Sequence, residues 1–254
     1  MGKFITNFAT TAELATASAK TDGSFGRPHV SLTKDNSQVH FFGDPCKSEI
    51  VKTTYEWVEI GGIKWATKNV GAKTITDFGQ KFSWGGVNGY TNDQVSGSCH
   101  SKAFSWTDYE HISGAGTSSS AMTKYNSTDG LTTLEVGDDA AVANMEGLWR
   151  MPTEAEFNEL LTASTITKSW TSVNGVRGYK FSLTADPTKY VFFPAAGGCS
   201  NSSVSNAGSV GHYWSSSLDT SNVIYGRSLV FSSGNCKMSG YNRYYGYSVR
   251  GVVG

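Results

Sequence analysis

The chain has 254 residues, enough for one large domain or a domain with an appendage. Its 21 basic and 21 acidic residues cancel, which removes the usual electrostatic argument for nucleic-acid or anionic-membrane binding. Glycine is abundant at 29 and proline scarce at 5, while 7 Trp, 12 Tyr and 13 Phe supply enough burial to exclude disorder; the composition predicts a loop-rich, aromatic, mostly β domain.

At the start of the chain, Phe4, Ile5 and Phe8 are interrupted by Thr6 and Asn7, so neither a secretion signal nor a membrane span of about 18 apolar residues is expected. Thr10-Thr11-Ala12-Glu13 has capping-box spacing and predicts a short helix from Thr11 to Ala19. A polar stretch with Gly23, Gly26 and Pro28 leads into alternating Val30, Leu32, Val39 and Phe41. Residues 1–53 are read as an attachment or oligomerisation segment without a heptad pattern.

The main domain is expected over residues 54–254. Gly61-Gly62 separates Tyr55–Ile60 from Ile63–Ala66, the pattern of a tight hairpin. A further strand is expected over Gln80–Trp84, stopped by Gly85-Gly86, and long loops with short helical turns over Val87–Gly137. A short helix over Asp138–Met145 begins with two acids suited to the helix dipole. The clearest helix follows Pro152: Thr153 and Glu156 form a capping box, and Phe157, Leu160 and Leu161 form an apolar stripe. Tyr179-Phe181-Leu183 and Tyr190-Phe192 alternate as strands do, and β-segments separated by Gly, Ser and Asn continue from Gly197.

Few of the chemistry-bearing residues form a recognisable site. Cys46, Cys99, Cys199 and Cys236 lack CxxC spacing, allow three full pairings, and read most simply as reduced thiols. His29, His40, His100, His111 and His212 are scattered without metal-ligand spacing; Cys99-His100 with His111 reads as solvated loop rather than zinc. Asp138 and Asp139 read as helix N-terminal acids. Ser118–Ser120 and Ser215–Ser217 lack a companion His and Asp, and no phosphate-cradling glycine loop occurs. No metal, cofactor or catalytic group is therefore expected.

Several blocks together carry a resemblance: Phe82-Ser83-Trp84-Gly85-Gly86; Asp138-Asp139-Ala140-Ala141 followed by Gly147-Leu148-Trp149-Arg150-Met151-Pro152-Thr153-Glu154-Ala155-Glu156-Phe157; Tyr213-Trp214-Ser215-Ser216-Ser217; and Gly246-Tyr247-Ser248-Val249-Arg250-Gly251-Val252. In this order over residues 54–254 they resemble the variable proteins of diversity-generating retroelements, in the formylglycine-generating-enzyme-like branch of the C-type-lectin fold, known from gut Bacteroides and their phages. Arg27-Pro28-His29-Val30-Ser31-Leu32 is similar to the first residues of phage tail proteins from that setting. The resemblance implies an α+β, C-type-lectin-like fold of mixed short sheets, two helices and long loops behind an N-terminal extension. It also implies that the first and last strands pair, bringing Trp57–Trp65 near Tyr247–Val252. Animal lectins of this fold bind sugar through calcium with Glu-Pro-Asn or Gln-Pro-Asp and Trp-Asn-Asp motifs, none of which is present here.

In that family a C-terminal stretch, here about 198–248, is rewritten at template adenines on a constant scaffold. Six of the 12 tyrosines, Tyr213, Tyr225, Tyr241, Tyr244, Tyr245 and Tyr247, fall there among Ser, Gly and Asn, the residue types that antibody loops favour. Lys237 and Met238 are not reachable from the codons involved and are assigned to the frame; Cys199 and Cys236 are reachable and read as accidents of diversification. The expected contact residues are His212, Asp219, Val223, Ile224, Tyr225, Ser228, Val230, Ser232, Ser239, Gly240, Tyr241, Tyr244, Tyr245 and Tyr247. Tyr213 beside Trp214 is expected to be buried, and Tyr241, Tyr244 and Tyr245 exposed. With Leu229 and Phe231 inward, Ser228, Val230 and Ser232 should face out. The frame is assigned to Trp149, Phe157, Leu161, Trp214, Leu229, Phe231 and Val249.

The function implied is binding of a bacterial surface protein or glycan by a phage tail receptor-binding protein in the virion. Residues 1–53 would contact other tail proteins, a homotrimer is compatible, and neither nucleic acid nor membrane insertion is expected. The alternative is a bacterial cell-surface adhesin of the same fold. A formylglycine-type oxidase would hold copper between two C-terminal cysteines; Cys199 and Cys236 lie outside any block resembling that site.

Overall fold

In the computed structural model, which describes residues 29–32, 39–42, 55–90, 102–114 and 119–253, the alternating N-terminal residues form an antiparallel pair, β1 (His29–Leu32) with β2 (Val39–Phe42). Val30 stands opposite Phe41 and Leu32 opposite Val39. This pair belongs to a unit over Met1–Lys52, separate from a second unit over Thr53–Gly254. The helix expected over Thr11–Ala19 lies outside the described residues.

The second unit opens with β3 (Trp57–Ile60) and β4 (Ile63–Ala66), paired antiparallel. Gly61 and Gly62 have φ of 63° and 75°, the left-handed conformation that a two-residue hairpin turn demands at both positions. The last strand, β14 (Val252–Val253), pairs with β4 on one side and with β5 (Trp149–Arg150) on the other, giving a sheet of order β3-β4-β14-β5. The last strand therefore pairs with the second strand of this unit rather than, as expected, with the first: Val252 stands opposite Trp65, and β4 separates it from β3.

Between them, α1 (Ala140–Asn144) is capped by Asp139, whose Oδ1 accepts from the amides of Ala141 and Val142 while Oδ2 accepts from Met151 N at 2.8 Å. Asp138, also expected to serve the helix start, instead accepts from Lys124 Nζ and the Tyr125 hydroxyl, at 2.6 and 2.5 Å. The second helix, α2 (Glu154–Thr162), has the full capping box: Glu156 N donates to Thr153 Oγ1, and Thr153 N donates to Glu156 Oε2. Phe157 and Leu160 on its inner face are buried.

A three-stranded antiparallel sheet follows, β6 (Ile166–Val173), β7 (Val176–Leu183) and β8 (Tyr190–Pro194). The largest sheet contains β9 (Ala196–Ser200), β10 (Ser203–Ala207), β11 (Gly211–Leu218), β12 (Tyr225–Ser232) and β13 (Asn235–Asn242), in the order β10-β9-β11-β12-β13. It is mixed, since β11 meets β9 in parallel at Gly211 and Gly197. With two α-helices among the described residues beside mostly β structure, the architecture is α+β. The strand expected at Gln80–Trp84 is reduced to single bridges, because its members take different partners: Lys81 pairs with Tyr90, and Phe82 with Tyr247. No helix among the described residues is long and apolar enough to cross a membrane.

The largest sheet is a partition with apolar side chains on both faces. Tyr213, Leu229 and Phe231 point into one cluster with Trp65, Phe157 and Phe193. Their neighbour Trp214 points the other way, into a cluster with Trp84, Trp149 and Tyr247. Period-two alternation on β11 and β12 thus feeds two cores. The C-terminal segment is fastened to both by Arg250, fully buried, which donates to Asn69 Oδ1, Ala66 O and Phe192 O and lies 4.7 Å over the Phe193 ring.

Candidate functional site

Register places the residues of the C-terminal sheet on two faces. Opposite partners share a face, so His212, Val230 and Lys237 form one row, Trp214, Ser228 and Ser239 the next, and Gly226 with Tyr241 a third. The other face carries Tyr213, Leu229 and Met238, packed toward α2.

Two of the expected contact residues, Ser228 and Tyr247, are buried rather than exposed. Ser228 has no exposed surface, although it faces away from Leu229 and Phe231 as expected. Alternation sets the side a residue takes; whether that side is open depends on what covers it. Trp214 stands opposite Ser228, and Trp84 lies so close to Gly226 that a Cβ there would meet its ring at 2.5 Å. Tyr247 is 4% exposed, stacked on His212 at 4.4 Å and tilted against Trp214 at 4.5 Å. It is a core residue, as is Tyr213, whose burial was expected.

The remaining contact candidates are half-buried. Asp219 is committed to its own loop: Oδ1 accepts from Ser221 N and Oγ, and Oδ2 from Arg227 Nη1 at 3.1 Å. Desolvation raises its pKa, but the bonds from Ser221 and Arg227 outweigh this and hold the carboxyl below its usual range. Val223, expected as a contact residue, packs on the Trp84 cluster. Ile224, Tyr225, Val230, Ser232, Ser239 and Gly240 lie along β12, β13 and the loop before β12.

Tyr241, Tyr244 and Tyr245, expected in the open, are half-buried because they stack on one another and on their surroundings. Trp106 meets Tyr244 at 4.8 Å, Tyr244 meets Tyr245 at 4.5 Å, and Tyr245 stacks over Tyr247 at 5.7 Å. His212 and Tyr241, edge-on at 5.0 Å, form a second group. The two groups are joined beneath the surface by the buried Tyr247, which stacks on His212 and meets Tyr241 edge-on at 5.6 Å. Trp106 was missed in sequence, since it stands in a serine- and threonine-rich loop far from the tyrosines. His212 keeps a buried Nδ1 with no partner among the described residues. Burial, and then the charge of Lys81, push its pKa down to about 4, leaving the ring neutral at pH 7.

Charge on this part of the chain is almost entirely consumed. Arg243 is buried over Trp84 and donates to the carbonyls of Lys124 and Tyr125. Arg227 binds Glu154 and Asp219. Lys237 is the exception, exposed and without an ion pair among the described residues.

Of the two C-terminal cysteines, Cys199 departs from its reading as a reduced thiol and Cys236 agrees with it. Cys199 is 1% exposed and disulfide-bonded, packed with Phe104 and Val204. Cys236 is free, packs against the Tyr213–Phe231 cluster, and has its thiol pushed up to about 12 by burial. The two sulfurs sit in different clusters, which does not give copper the paired thiolates of an oxidase. Among the described residues no three His, Cys, Asp or Glu side chains are grouped for a metal. The chain matches no family model, no curated protein and no solved structure.

Proposed function

We propose that the protein is a ligand-binding protein of C-type-lectin-like fold that displays its C-terminal aromatic surface to a molecule on a bacterial cell, as the receptor-binding component of a phage tail. The observation that carries this reading is the clustering of two half-buried aromatic groups, Trp106 with Tyr244 and Tyr245, and Tyr241 with His212, joined through buried Tyr247 and backed by a core that includes Trp84 and Trp214. Side chains ordered before the ligand arrives lose little entropy on binding, and tyrosine offers large contact area for few rotatable bonds. The disulfide at Cys199 suits a site of action outside a reducing cytoplasm, which both a virion and a cell surface provide.

Tyr244 is the residue on which to test it, because its contacts are with surface aromatics rather than with the buried clusters. Tyr244→Ala is expected to weaken attachment to host cells at least about tenfold, the scale of an aromatic hot spot, while lowering stability by no more than about 1 kcal/mol. Unchanged attachment would count against the reading. The gene's surroundings supply a second test: a reverse-transcriptase gene and a near-copy of the segment coding for 198–248, differing at adenines, are expected. If the contact positions do not vary between isolates, diversification is refuted.

A further inference from the structure

We propose that the cleft beside the β12–β13 turn binds a single carboxylated sugar ring, a uronate-type residue of a surface glycan. This rests on the ligand-binding reading of the same sheet and assigns the chemistry of one subsite within it. The cleft has a volume of about 190 Å³ and is lined by Val210, Val230, Ser232, Asn235, Lys237 and Tyr241 among others. That is below the ~300 Å³ at which drug-sized ligands are usually accommodated, and suits one ring.

The lining matches a pyranose in three respects. Val210, Val230 and the Tyr241 ring provide apolar surface of the kind that the C–H face of a sugar covers. Ser232 and Asn235, flanking the turn, each offer both a donor and an acceptor, which a ring edged with hydroxyls can satisfy in either sense. Tyr241 is not free to swing away, since it stands edge-on to His212 at 5.0 Å and to Tyr247 at 5.6 Å. The wall is therefore in place before a ligand enters.

The carboxylate is inferred from charge. From Gly198 onward the basic residues are Arg227, Lys237, Arg243 and Arg250, and the only acid is Asp219. Arg243 and Arg250 are buried, and Arg227 is held between Asp219 and Glu154. The Lys237 ammonium at the cleft is what remains uncompensated, a compact point charge suited to an anionic oxygen rather than to bidentate recognition. Its exposure limits the preference it can impose to about fivefold, the upper range for a solvated ion pair.

Titration of the full, isotopically labelled chain with methyl glucuronide, methyl glucoside and acetate, followed by amide chemical shifts, tests this directly. The glucuronide is expected to shift Val230, Ser232, Asn235 and Lys237 and to bind about fivefold more tightly than the glucoside, with acetate weaker than either. Lys237→Gln, at an exposed position, should equalise the two sugars without changing the melting temperature. The proposal is overturned if no shifts appear, if glucoside and glucuronide bind alike in the native protein, if acetate binds as well as the glucuronide, or if Lys237→Gln keeps the preference. Cell attachment that depends on Tyr244 while the sugars fail would leave the receptor-binding reading standing and remove this one. Glucuronide binding with Tyr244-independent attachment would do the reverse.

Discussion

Lys81 brings an ammonium into the interior, where main-chain and hydroxyl oxygens take the place of a carboxylate. Its Nζ donates to Ala196 O at 2.8 Å, Gly197 O at 3.1 Å and Ser248 Oγ at 3.0 Å, one acceptor for each N–H of the charged form. Burial nonetheless pushes its pKa from 10.5 down to about 7. The unfolded chain therefore holds the extra proton between these values, and stability should rise with pH above 7, at most by about 1.4 kcal/mol per pH unit. Above pH 9 the unfolded Cys236 thiol ionises while the folded one, pushed up to about 12, does not, which opposes the rise. His212 acts at the acid end: its pKa falls from 6.5 to about 4, the unfolded state takes up the proton first, and stability should drop as pH falls through that interval. Urea midpoints across both ranges check these signs. Lys81→Met, which removes one titration, should flatten the rise above pH 7; a slope unaltered by the substitution refutes the assignment.

At the scale of elements, what could be read from sequence was what is local. Thr153 and Glu156 are three residues apart, so their capping box and the stripe of Phe157 and Leu160 are visible in one helical turn or two. Thr153→Ala should cost about 1 kcal/mol, measured by urea denaturation, because it strips the acceptor from Glu156 N. The Gly61-Gly62 hairpin was legible for the same reason. Ser228 and Tyr247 were misplaced because their cover comes from Trp84 and Trp214, separated by long stretches of sequence. The burial of Arg243 and Arg250 could not be read from sequence, since nothing nearby announces the carbonyls of Tyr125 or Phe192 that receive them. The location of the candidate surface was legible from the crowding of tyrosines; its depth was not, because half-burial arises from rings stacking between β13, the segment after it and the Trp106 turn.

For the molecule as a whole, the decisive arrangement is the sheet order β3-β4-β14-β5, with Val252 wholly buried between strands from the start and middle of the domain. Deleting residues 252–254 should remove both neighbours' hydrogen bonds and leave a compact chain with its β content but without fixed aromatic packing. Loss of the near-ultraviolet circular dichroism signal with retention of the far-ultraviolet one is the expected result; native spectra in both regions would show that the strand is dispensable. Chain growth adds a further consequence. A ribosome delivers β3, β4 and β5 well before β14, so a nascent copy holds an unfilled slot until β14 emerges. Everything synthesised between β5 and β14, including every residue of the aromatic surface except Trp106, must therefore leave that slot reachable. The closing strand acts as an inspection step: any version of the intervening segment that folds badly enough to block it yields no finished domain.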